Sequence, residues 1–124
     1  MTAEAMHRKI LEREYKGTCV IYEYGKEKDK ISKLTRMAER VVSGEQPLPC
    51  KLSFSNSPAA EGNGAAVTRQ QSVKLFLSPD ITVKPGSKIV VTQNDIIQAY
   101  KNSGTPAVYA THQEITLELF ERWT

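Results

Sequence analysis

Residues 73–92, V-K-L-F-L-S-P-D-I-T-V-K-P-G-S-K-I-V-V-T, restrict the fold more than any other part of the chain. Two apolar runs, 73–77 and 89–91, bracket two turn signals, Ser78-Pro79-Asp80 and Lys84-Pro85-Gly86-Ser87. Pro85 pre-sets the backbone angle wanted at the second position of a turn, and Gly86 can take the positive φ that the third position of a type II turn requires. Between the two signals, Ile81-Thr82-Val83 alternates as a short strand does. The order is strand, corner, short strand, tight turn, strand. Small antiparallel barrels and sandwiches turn their corners with such segments. Pro79, Asp80, Pro85 and Gly86 are therefore the candidate barrel corner.

The rest of the chain fits that frame. Residues 2–15 predict a helix, with Thr2 as N-cap, Glu4 complementing the helix dipole and Lys16-Gly17 as the stop. Met6, Ile10, Leu11 and Tyr15 fall on one narrow apolar stripe. A strand over 17–24 follows, then a charged turn over 25–33 and a second strand over 34–42. Pro47 and Pro49 end that strand and start the third, 50–54, in an extended conformation. Residues 67–77, 88–92 and 96–101 read as further strands, with Gln93-Asn94-Asp95 as a turn. The last strand, 112–120, alternates cleanly: Gln113, Ile115, Leu117 and Leu119 inward, His112, Glu114, Thr116 and Glu118 outward. The expected architecture is mainly β: a small antiparallel barrel, or sandwich, of about seven strands. An N-terminal helix over 1–16 precedes a β domain over 17–124, the whole forming a single domain.

Residues 55–66, S-N-S-P-A-A-E-G-N-G-A-A, carry no large apolar side chain. Such a segment cannot offset its ordering entropy by burial, and the sequence predicts a long mobile loop there. Gly62-Asn63-Gly64 lacks the following helix and the Lys-Ser pair of a phosphate cradle.

Composition excludes several function classes. No stretch approaches the ~20 apolar residues of a membrane span, and the first residues lack a basic-then-apolar leader pattern. Net charge is +3. Residues 1–40 hold 10 Lys/Arg against 7 Asp/Glu, and residues 41–124 hold 7 of each. That excess is small for a nucleic-acid footprint. Cys19 and Cys50 read as buried apolar residues, although neighbouring strands would permit a disulfide. His7 and His112 occur singly, without the paired spacing of a zinc site or a partnered nucleophile. Asp80 and Asp95 sit in turns and read as structural. No catalytic residue, metal site or cofactor is expected. What remains is a binding or assembly surface. The interface candidates are Met6, Ile10 and Tyr15 on the helix and Phe120 and Trp123 near the C-terminus. The segments 25–33 and 55–66 are further candidates.

The run C-V-I-Y-E near the start, then P-C-K-L-S-F, residues 73–92, Y-K-N-S-G-T-P-A-V-Y and H-Q-E-I-T-L-E-L resemble the small head-tail connector proteins of tailed bacteriophages and prophages, also called head-closure or head-tail joining proteins. The resemblance spans residues 17–120. It implies a small barrel that docks as a ring below the portal protein, closes the channel after DNA packaging and offers a platform for the tail. It implies no enzymatic activity. The implied partners are the portal or adaptor protein, tail proteins and further copies of the chain, with packaged DNA nearby and no membrane. The implied location is the virion, and the bacterial host cytoplasm during assembly. In position and length, Ser55, Asn56, Ser57, Pro58, Glu61, Gly62, Asn63 and Gly64 match the projecting channel loop of these proteins. The charged helix before the first strand departs from the pattern. The alternative is a small OB-like or SH3-like barrel that binds nucleic acid through Lys26, Lys28, Lys30 and Lys33, or binds a protein.

Overall fold

The computed structural model describes residues 2–28, 30–58 and 69–123, with the backbone alone at 56–58, 69 and 70. One helix, α1 (Ala3–Glu12), precedes eight strands: β1 (Gly17–Lys28), β2 (Thr35–Val41), β3 (Leu48–Pro58), β4 (Arg69–Leu77), β5 (Lys88–Gln93), β6 (Ile96–Asn102), β7 (Ala107–Val108) and β8 (Gln113–Leu119). Every pairing is antiparallel. Six strands close on themselves in the order β1-β3-β4-β8-β6-β5, because β5 pairs back onto β1. The body is thus a closed barrel, which resolves the choice between barrel and sandwich.

Two strands change neighbours along their length, and closure depends on this. The start of β1 runs between β3 (Gly17↔Cys50) and β5 (Thr18↔Thr92 to Tyr22↔Lys88), and its remainder pairs with β2 (Tyr22↔Val41 to Lys28↔Thr35). Likewise β3 begins on β1 and continues on β4 from Lys51↔Phe76 to Pro58↔Arg69. Gly17 sits where three strands meet. A Cβ there would lie 3.1 Å from the Thr92 carbonyl oxygen and 3.3 Å from that of Cys50, a crowded fit that the neighbouring backbone would have to relieve by a small shift.

The core follows from period-two alternation. Cys19 and Ile21 of β1, Cys50 and Leu52 of β3, Leu75 and Leu77 of β4, Ile89 and Val91 of β5, Tyr100 of β6, and Ile115 and Leu117 of β8 point inward and are buried. Val83 joins them from the β4–β5 connection. Each buried Ile, Leu or Val among them contributes about 1.5–3 kcal/mol by leaving water. Both cysteines are free and buried.

Several boundaries differ from expectation. The helix hydrogen-bonding ends at Glu12, and its last turn tightens through Glu14 N–H to Leu11 O (3.0 Å) and Tyr15 N–H to Glu12 O (3.0 Å). The segment 25–33, expected as a turn, is strand as far as Lys28. The expected loop begins too early: Ser55 to Pro58 belong to β3, paired with Ser72 to Arg69. The remainder of that expectation, including Glu61, Gly62, Asn63 and Gly64, lies outside the described residues. Ile81-Thr82-Val83 is not a strand. Leu119 is on the inward side of the alternation yet 60% exposed, because the barrel is open where β8 ends.

Candidate assembly surface

The corner is built as the sequence indicated at one of its two turns. Ser87 N–H reaches the Lys84 carbonyl at 3.1 Å, and Gly86 has φ +83, as the third position of a type II turn requires. Gly86 N–H also donates to the Asn102 carbonyl at 2.9 Å, tying the turn to the end of β6. The stretch between the turns carries two buried amides in place of a strand ladder. Gln113 Nε2 donates to the Ser78 and Ile81 carbonyls at 2.7 and 2.6 Å, and Asn102 Nδ2 donates to those of Val83 and Lys84 at 3.3 and 3.2 Å. Gln113 and Asn102 are 1% and 2% exposed. They let the chain cross the barrel end without leaving carbonyls unpaired, which would cost about 1–3 kcal/mol each. Gln113 was placed inward by alternation, but nothing in that pattern identified its partners.

Helix α1 is fastened to this corner. Arg8 donates to the Ser78 hydroxyl and to Asp80 Oδ2 (2.7 Å), while its Nε reaches Glu12 at 3.2 Å. Ser78 and Asp80 therefore fasten the helix at the same corner that turns the chain. Ala5, Arg8, Leu11, Glu12 and Tyr15 are half-buried, whereas Met6 and Ile10 are 55% and 54% exposed. The expected single stripe is thus split between two faces. Met6 and Ile10, one turn apart, form the outer face. Tyr15 turns inward with Leu11 and lines a small groove with Phe76, His112 and Lys51. Its phenol is pushed up by burial, and its hydroxyl has no hydrogen-bond partner among the described residues. His112, expected on a wet face, is covered instead: it stacks on Tyr109 (4.9 Å between ring centres), lies near Phe76 and bonds Glu114 Oε2 through Nε2 at 3.0 Å.

Phe120 and Trp123 do come together. Trp123 stacks on Tyr24 at 5.2 Å, meets the edge of Phe120 at 5.0 Å and donates its indole N–H to Glu39 Oε1 at 3.2 Å. Glu39 also holds Lys88 Nζ at 2.8 Å, and that ammonium lies 5.4 Å from the Tyr22 ring centre and 5.0 Å from that of Phe120. The chain end is thereby stapled across the base of the β1–β2 hairpin. Sequence reasoning missed Tyr22, Tyr24, Glu39 and Lys88; the only available signal was two tyrosines two apart on one strand face.

The body presents two projections. One is the β1–β2 hairpin beyond Tyr22↔Val41; the other is the distal part of β3 and β4, from Ser55↔Ser72 outward. At the root of the second, Phe54, Val73, Leu117, Leu119 and Tyr100 surround an open groove of about 600 Å³ at the barrel mouth, rimmed by Lys101, Glu118, Glu121 and Arg122. Phe54 is 50% exposed there. Among the described residues no group of three or more His, Cys, Asp or Glu could hold a metal ion, and no helix is long and apolar enough to cross a membrane.

No protein-family model and no curated protein matches the chain. Among solved structures it is similar to the phage-like element PBSX protein xkdH from Bacillus subtilis, with 12% sequence identity and a TM-score of 0.47, over 82% of this chain and 91% of that one.

Proposed function

We propose that this chain is a non-enzymatic connector subunit of a tailed phage or prophage particle, seated between portal and tail and closing the channel once DNA is packaged. The reading rests on the run of motifs from residue 17 to residue 120 and on the surface the fold leaves uncovered. The barrel buries a core of its own, yet Met6, Ile10, Phe54, Val108, Tyr109 and Leu119 are each at least half exposed. A subunit embedded among neighbours would cover these side chains. Docking of a rigid barrel through its helix face and mouth, with copies of itself and with portal, adaptor and tail proteins, uses every one of these positions.

The test is genetic and visual. Particles from an induced prophage lacking this gene are examined by electron microscopy. Filled heads without tails, or heads that lose their DNA, are expected; normal tailed particles would overturn the reading.

A further inference from the structure

We propose that the β1–β2 hairpin is an arm for double-stranded nucleic acid, inserting as a two-stranded ribbon into a groove of the duplex and contacting phosphates without sequence preference. The observation is where the charge sits. Residues 24–41 hold six Lys/Arg against three Asp/Glu, and the remainder of the chain holds 11 of each, so the whole net charge of +3 belongs to this arm. Lys26, Lys28, Lys30, Lys33 and Arg36 are all exposed, and none is ion-paired among the described residues. On the barrel and helix, by contrast, Arg8, Lys51, Lys74, Lys84, Lys88 and Lys101 each have a carboxylate at 2.7–3.8 Å. Lys9, Arg13, Lys16 and Arg122 are also without an ion pair among the described residues, but only on the arm do cations outnumber carboxylates by three.

Shape agrees with charge. Seven paired positions, from Tyr22↔Val41 to Lys28↔Thr35, make a ribbon about 20 Å long at ~3.4 Å per residue. A two-stranded ribbon fits the roughly 12 Å width of the major groove of DNA. The register puts Lys26 and Lys28 on one face and Arg36 and Arg40 on the other, with Lys30 and Lys33 at the end. Arg36 and Arg40 stand opposite Glu27 and Glu23 in the ladder, so the phosphates of a groove would be met chiefly by Lys26, Lys28, Lys30 and Lys33. The tip also exposes Ile31 and Leu34, so the vesicle competition below separates a duplex from an anionic membrane. The base is held by the Tyr24–Trp123 stack and the Glu39–Lys88 pair, so a bound duplex would meet an oriented element. This inference stands apart from the connector reading: it concerns a surface, and it holds or fails whether or not the chain joins a virion.

The full-length protein is titrated into a fluorescently labelled duplex of about 30 base pairs by anisotropy, from about 50 mM salt upward. Binding is expected regardless of base sequence, with a log–log salt slope of about −4.5, corresponding to about five phosphate contacts. The triple variant K28Q/K30Q/K33Q, checked for an unchanged thermal melt, should weaken binding equally on all sequences and reduce the slope by about three. R13Q/K16Q on the helix side should leave it unchanged. Absence of binding at the lowest salt, or a triple variant that binds like the parent, overturns the proposal. So does retention on phosphatidylserine vesicles that duplex DNA does not compete away.

Discussion

Gly86 is the residue whose identity the backbone dictates most directly. At φ +83 an alanine would have its Cβ in the disfavoured left-handed region, though no neighbouring atom lies within 4 Å of that position. The cost is therefore backbone strain alone, and Gly86→Ala should lose about 1–2 kcal/mol in urea unfolding without altering the barrel. Gln113→Leu tests a different kind of constraint. Its side-chain volume is nearly kept, but the Ser78 and Ile81 carbonyls lose their donor in a buried place, so about 2–3 kcal/mol of destabilisation is expected in the same assay. Cys19 offers a chemical reading of core closure. Its hydrogen bond to Cys50 and its burial push the thiol up, well away from thiolate formation at neutral pH. A thiol reagent at mildly alkaline pH should leave Cys19 unlabelled in the folded protein and modify it once the chain is unfolded. Rapid labelling of the native state would contradict a sealed barrel.

At the level of elements, the C-terminal segment and the hairpin arm form one mechanical unit. A stacked aromatic pair contributes about 0.5–1.5 kcal/mol beyond its buried area, and Trp123 adds a second partner in Phe120 and a hydrogen bond to Glu39. Trp123→Ala should speed amide exchange in β2 while leaving β4 and β8 protected, because β2 has β1 as its one partner strand. Equal loss of protection throughout would mean that the tail supports the barrel itself. The elements were legible in the sequence to different degrees. Inward alternation located β8, and the apolar runs 73–77 and 89–91 located β4 and β5, because each buries side chains in one core. The Pro85-Gly86 turn was readable because a single conformation suits both residues. The segment 81–83 was misread because its alternation is real, yet Val83 is buried as a plug, and the backbone groups there are met by Asn102 and Gln113 from 18 or more residues away. Periodicity has no access to such distant partners. The helix stripe failed similarly: Met6 and Ile10 share a face by spacing, but Arg8 chose the docked face through Asp80, a pairing 72 residues apart.

On the scale of the whole molecule, the exposed apolar pair on the helix lies apart from the arm that carries the net positive charge. Met6 and Ile10 lie on the helix, whereas the excess of cations over carboxylates lies on the arm. The double variant Met6→Asp/Ile10→Asp should therefore fold normally, because neither side chain contributes to the core, and should retain duplex binding. In the connector reading it should fail to complement a prophage deletion. Full complementation would remove the helix face from the proposed interface. The interface candidates were legible as apolar residues without a core role. Their grouping was not, because it depends on how the helix rolls against the barrel.

The double duty of β1 has a consequence for force. One continuous strand is both a stave of the barrel and one leg of the arm, with no loop between them. The arm therefore has no soft joint at its root along that leg. Pulling or twisting its tip loads the Thr18–Tyr22 seam with β5 in shear, much as a crowbar loads the plank it is nailed to.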